Sequence, residues 1–205
     1  MPPKTPLISL WDPQLSDREI YFIGLISVHW ASMEYEIFMQ TLSTFDSEAF
    51  DLAKVPKEMN NIQFTGVLAL WKQRVVNKAR GRRAKTLLLQ YERITQLKTY
   101  RDALTHGIWH WSADDQGSIK TTRVRKRAVI TTRFSAADLE DFAKKIAEVN
   151  FCIRFPRGLT DLARARMQQG GGISRRAIAM FTGAPVDSEG FPTGNPAGRK
   201  PITEQ

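Results

Sequence analysis

Apolar side chains recur every three or four positions along the first third of the chain. Ile20, Ile23, Ile26, Trp30, Met33 and Ile37 form one stripe, and Phe22 and Phe38 widen it. That is the period of a helix that buries one face. Ser16 and Glu19 just ahead of the stripe make a capping box, so the helix is expected to begin there and run to about residue 43. A polar connection follows over 44–58, with a short helical turn around 48–53, and Pro56 closes it. A second helix is expected from about 57 to 79, with Ile62, Val67, Leu68, Leu70, Trp71 and Val75 inward. Gly81 marks the break after it. A third runs from about 82 to 106 on the stripe Leu87, Tyr91, Ile94, Leu97, Arg101, Leu104 and Ile108, and Gly107 is the expected left-handed stop.

The period then changes from helical to alternating. Residues 108–112, 118–125 and 128–133 read as strands rich in β-branched side chains, with a turn at 114–117. Ser135 and Asp138 form a second capping box. It opens a fourth helix to about residue 155 on Leu139, Phe142, Ile146, Val149 and Ile153, and Pro156 ends it. A short basic helix is expected over 159–167. The fold class is therefore mainly α, with a small antiparallel hairpin or meander between helices three and four. Residues 1–15 read as an irregular arm, 16–167 as the helical domain with its β insertion at about 108–133, and 168–205 as a flexible Gly- and Pro-rich tail.

Composition narrows the setting. The chain has 205 residues, 42% of them hydrophobic and 25% charged, enough for a sizeable core in one domain. The formal net charge of +9 favours a polyanionic partner, nucleic acid or an acidic protein. One cysteine, Cys152, excludes an internal disulfide; its apolar neighbours suggest a core residue, and a reducing cytoplasm is the expected location. The most apolar run, 20–33, is interrupted by Ser27, His29 and Ser32 and is too short to span a bilayer. No signal peptide is expected either.

Two residues do not fit a purely structural helix. Arg101 sits within the apolar stripe of helix three, where a guanidinium must be paired or must act. His106, the side chain type that titrates near neutral pH, follows five residues later at the helix end. Five helical residues turn the chain by roughly 500°, so the two side chains diverge by about 140° on a regular helix. Basic residues cluster in two runs free of acids, 72–85 and 120–133. The second run offers Lys120, Arg123, Arg125, Lys126 and Arg127 on the predicted hairpin as contacts for a phosphate backbone.

An Arg, a polar residue, three more residues and a His, closing a helix in a helical domain, resembles the RxxxxH motif of HEPN domains. The resemblance covers roughly residues 16–155. It implies a four-helix bundle and a metal-independent endoribonuclease with Arg101 and His106 as catalytic residues. The imidazole would move the proton of an RNA 2′-hydroxyl, and the guanidinium would stabilise charge on the phosphate. It implies a homodimer whose two motifs line one cleft, and a role as a toxin or defence effector with an antitoxin or other protein partner. Asp102, in the polar slot after the Arg, would orient His106 or touch substrate. Glu34 on the first helix would hold Arg101 in an ion pair. No cofactor and no metal is expected: His110 lies four residues beyond His106, but Gly107 separates them and no further ligands gather. The rival reading is a non-catalytic helical binding or dimerisation module. In it Glu34, Arg101 and His106 only join helices, and the basic surface takes nucleic acid or an acidic partner.

Overall fold

The computed structural model describes residues 15–45, 55–110 and 117–170. Residues 1–14 of the irregular arm, the turn expected at 48–53, the strand end at 111–112, residues 114–116 of the turn expected at 114–117, and the tail from residue 171 lie outside the described residues. Residues 1–156 form one unit, and the chain from Arg157 belongs to a second.

The first unit is mainly helical, with a three-stranded antiparallel sheet inserted between its third and fourth helices. Helix α1, Asp17–Leu42, starts at a complete capping box: Ser16 accepts from the Glu19 backbone N–H, and the Glu19 carboxylate accepts from that of Ser16. It buries Ile26, Trp30, Met33 and Ile37, whereas Ile20 stays 54% exposed at the open end of the stripe. The single second helix expected over 57–79 is broken. A 3-10 turn, Lys57–Met59, leads through Asn61 in a left-handed conformation (φ 57°) to helix α2, Phe64–Trp71. Asparagine tolerates that conformation because its short side chain can bond locally. Beyond Trp71 the helix widens to a π-type turn over Lys72–Val76, closed by the Asn77 N–H donating to the Lys72 carbonyl at 2.9 Å. Sequence neighbours Val75 and Val76 are both buried there. The Trp71 indole, fully buried, donates to Gln40 on α1 at 3.0 Å.

Helix α3, Gly81–His106, lays Leu87, Ile94, Leu97 and Leu104 into the core and passes into strand β1, Ile108–His110, through one residue. That residue, Gly107, is extended (φ −82°, ψ 148°) and not left-handed. Its reason is space. A Cβ here would collide with the Ala103 carbonyl and stand 2.7 Å from the Thr121 Cβ. Ile108, the expected end of the inward stripe, points outward because the chain has left the helix; it is 66% exposed.

Strand β1 pairs with β2, Ile119–Arg125, which pairs with β3, Ala128–Phe134. Lys126 and Arg127 join β2 to β3 with φ of 48° and 66°. Two positive φ values suit the right-handed twist of a two-residue hairpin, although glycine and asparagine adopt them more readily. Alternation places Ile119 and Thr121 on the buried face. Helix α4, Ala136–Arg154, opens on its own capping box, with the Asp138 N–H donating to the Ser135 hydroxyl at 3.1 Å. All five expected inward residues of α4 are buried, and it packs on α1 and α3. Cys152 is half-buried and not a core residue, and burial pushes its thiol above the usual range, with the Arg93 charge opposing. In the second unit, α5, Leu159–Gln168, begins at Gly158, and Asp161 accepts from the Arg157 backbone N–H at 2.8 Å.

No helix among the described residues is long and apolar enough to cross a membrane.

Candidate functional site

Arg101 and His106 line one groove despite their angular divergence along α3. The groove has a volume of ≈ 500 Å³ and three walls. Helix α1 supplies Trp30 and Glu34; the start of α2 supplies Gln63, Phe64 and Thr65; α3 supplies Lys98, Arg101, Asp102 and His106. Lys98, Asp102 and His106 follow one another at four-residue spacing, so the face they share carries the chain of polar groups past Arg101 to the helix end. Helix α3 stays regular through His106, whose imidazole is exposed.

Arg101 is held differently from the expected ion pair. Its guanidinium lies over the Trp30 ring, 5.7 Å from the ring centre, and donates to Asp102 at 3.4 Å. Glu34 accepts from the Trp30 indole N–H at 2.6 Å, and no Glu34–Arg101 ion pair forms among the described residues. The indole links the two instead: its face meets the cation and its edge holds the carboxylate. Trp30 is one helical turn from Glu34, so its N–H reaches the carboxylate along α1.

Asp102 gathers cations. Lys98 Nζ is 2.6 Å away, Arg101 is on its other oxygen, and Arg123 Nη1 on β2 stands 3.9 Å off. Burial alone would raise the Asp102 carboxyl, but the Lys98 hydrogen bond and charge, with those of Arg101, hold it below the usual carboxylate range. Asp102 is bonded to Lys98 and Arg101 and not to His106, so it orients the two cations of α3.

The hairpin cations divide. Arg123 shares the inward face of Ile119 and Thr121; its side chain is 11% exposed, it donates to the Thr99 carbonyl at 3.5 Å, and its Nε is buried without a partner. It fixes β2 to α3 and does not stand with the outward cations as expected. Lys126 and Arg127 are exposed at the hairpin tip. Lys120 is half-buried on the outer face, in register with His110 on one side and Arg133 on the other. The Arg125 side chain lies outside the described residues. In the first basic run, Lys72 and Arg74 lie over the rings of Tyr91 and Phe45 at 4.4 and 3.7 Å, which removes them from a free cationic strip.

Sequence reasoning missed three contributors to the groove: Lys98, Trp30 and the N-terminus of α2. Lys98 was legible as the residue four before Asp102. The α2 end was not, because it depends on the break at Asn61. Gln63 caps α2 with no side-chain bond, and Gln63, Phe64 and Thr65 line the groove, so the positive end of the helix dipole lies at its wall. Among the described residues no three His, Cys, Asp or Glu side chains gather as a metal site would require.

Comparison with protein-family models, with curated proteins and with solved structures finds no match to this chain.

Proposed function

We propose that the groove between α1, α2 and α3 binds a phosphate of RNA, and that the protein is a metal-independent endoribonuclease acting as a homodimer. The observation that carries the reading is the convergence of Arg101, His106, Lys98 and the uncapped start of α2 on one groove. An anion there meets Lys98, Arg101 and the start of a helix, and it competes with Asp102, which shares the groove with Glu34, for the two cations. The exposed His106 imidazole stands at the rim, able to take a proton from a 2′-hydroxyl or return it to a leaving oxygen. Arg101, oriented by Trp30 and Asp102, stabilises the charge that gathers on the phosphate. The RxxxxH-like spacing extends this reading to a toxin or defence effector in the cytoplasm, restrained by an antitoxin or other protein partner.

The exposed cations Lys126 and Arg127 at the hairpin tip add a sequence-independent hold on the backbone. Purified protein is expected to cut RNA in the presence of a chelator. Arg101→Ala and His106→Ala are each expected to lose at least a hundredfold in rate. Full activity in both variants would end the catalytic reading.

One observation favours a second reading, a non-catalytic binding module. Asp102 with Lys98, Arg101 and Arg123 ties α3 to β2, and such a cluster can be architectural alone. In that case RNA binds in the groove without being cut, and the same assay reports binding without product.

A further inference from the structure

The outward face of α1 exposes three large side chains in one row. Tyr21, Val28 and Tyr35 repeat at seven-residue spacing and are 63%, 66% and 61% exposed. Gly24 and Ala31, also exposed, fall three residues after Tyr21 and Val28. The five make one seam about 21 Å long at the helical rise of 1.5 Å per residue. Between Tyr21 and Tyr35 it holds no charge, and exposed Asp17 continues the face one turn before Tyr21, whereas the outward faces of α3 and α4 carry Arg82, Arg83, Glu92, Lys144 and Glu148. Ser27 beside the seam turns its hydroxyl back to the Ile23 carbonyl at 2.9 Å. Two charged residues of α1 turn to α4: Arg18 pairs with Glu140 and Glu36 with Arg154.

Gly24 sharpens the question. It sits inside a 26-residue helix, where glycine weakens the helix relative to alanine. A Cβ at Gly24 would meet nothing within 4 Å, so nothing within the protomer calls for its absence. A glycine in open space on an uncharged seam is explained by a second backbone that comes close.

We infer that this seam is where a second copy of the chain packs, α1 against α1 in antiparallel fashion. The pattern is self-complementary. A two-fold pairing can set Tyr21 against the partner's Ala31 and Val28 against the partner's Gly24, large against small, and it brings Tyr35 to Asp17 at the partner's helix start, where the phenol hydroxyl can donate to the carboxylate. Charge selects the same occupant. A chain of net charge +9 repels its own copies, and the seam is where two copies meet without bringing cations together. An acidic protein or a nucleic acid would find no cation here to complement.

The contact bears on the groove. Ser27 and Ala31 also line a cleft with Trp30, Glu34 and Arg101, so the seam borders the proposed phosphate site. A two-fold axis that makes the helices antiparallel stands perpendicular to the plane holding both of them. It therefore keeps both Arg101 grooves on one side of the pair. The inference deepens the homodimer part of the functional reading by naming its surface.

The test is sedimentation equilibrium on the full chain, wild type against Val28→Arg and Gly24→Leu, with circular dichroism and chelated RNA cleavage on the same samples. Wild type is expected at twice the chain mass. Both variants are expected to keep their helix content while the dimer dissociation constant rises at least tenfold. Gly24→Leu is the decisive variant, because leucine favours the helix and has room in the monomer. A monomeric wild type, or a dimer that neither variant weakens, overturns the inference. If such a protein still cuts RNA, the groove reading survives; a seam-dependent dimer that never cuts RNA sinks the catalytic reading and leaves the interface standing.

Discussion

The Arg101 guanidinium lies over the Trp30 ring, 5.7 Å from its centre, and the N–H of that ring donates to Glu34 at 2.6 Å. A single indole therefore sets the direction of a cation on α3 and a carboxylate on α1. Trp30→Phe keeps a ring beneath Arg101 and releases Glu34. In the proposed mechanism this variant loses RNA cleavage tenfold or more while RNA binding changes little, since the phosphate contacts remain. Steady-state cleavage set beside an equilibrium binding titration measures the two effects separately.

Arg101 itself contributes little to stability. Its side chain is 28% exposed, its contact with Asp102 is long, and a ring–cation contact at a partly exposed site is worth about 0.5–1 kcal/mol. Arg101→Ala should cost no more than about 1.5 kcal/mol in urea unfolding. A loss of several kcal/mol would mark the residue as architectural and favour the binding-module reading.

Gly107 should tolerate no side chain. Gly107→Ala places a methyl against the Ala103 carbonyl and the Thr121 Cβ, both fixed by secondary structure. The expected destabilisation is about 2–3 kcal/mol, the range for a forced overpacking. Thermal unfolding of this variant beside Gly24→Ala, where space is open, separates the steric cause from helix propensity.

Acid should weaken the fold partly through Asp102. Its folded-state carboxyl lies below its ordinary value of 3.8, so the contribution is complete above that value and is lost as pH falls through the lower folded value. Asp102→Asn should therefore be less stable than wild type at pH 7, and the difference should narrow below about pH 4. Parallel curves for the two proteins across that window would contradict the cation cluster.

The hairpin tip places two cations in a backbone conformation that costs each of them free energy. Replacing Lys126 with Asn and Arg127 with Gly is expected to raise stability by about 1 kcal/mol. The same change should weaken RNA binding at low salt and flatten its salt dependence, because two phosphate contacts go with it. A double variant with unchanged salt slope would show that the tip does not touch the backbone.

Much of the fold was legible from local signals. Ser16 with Glu19 and Ser135 with Asp138 start α1 and α4 as the capping pattern requires, because caps and stripes are decided within a few residues. Helix two was misread because its break rests on one left-handed asparagine, which hydrophobic period does not register. At the site, period predicted that Arg101 faces inward but could not choose its partner. The choice between Glu34 and Trp30 depends on how α1 and α3 pack. The inward course of Arg123 was readable, since it shares parity with Ile119 and Thr121 on β2. Reading the hairpin as a patch of charge hid that alternation.

The one-residue joint between α3 and β1 has a mechanical consequence. With no loop at Gly107 and with Arg123 pinned to Thr99 and Asp102, the last turn of α3 and the sheet move as a single piece. Ile108 pairs with Thr122, so the end of α3 lies beside β2 only four residues, about 13 Å, along the strand from Lys126 at the hairpin tip. In the proposed function, a phosphate backbone held at the tip would therefore pass His106 with no hinge between the two contacts.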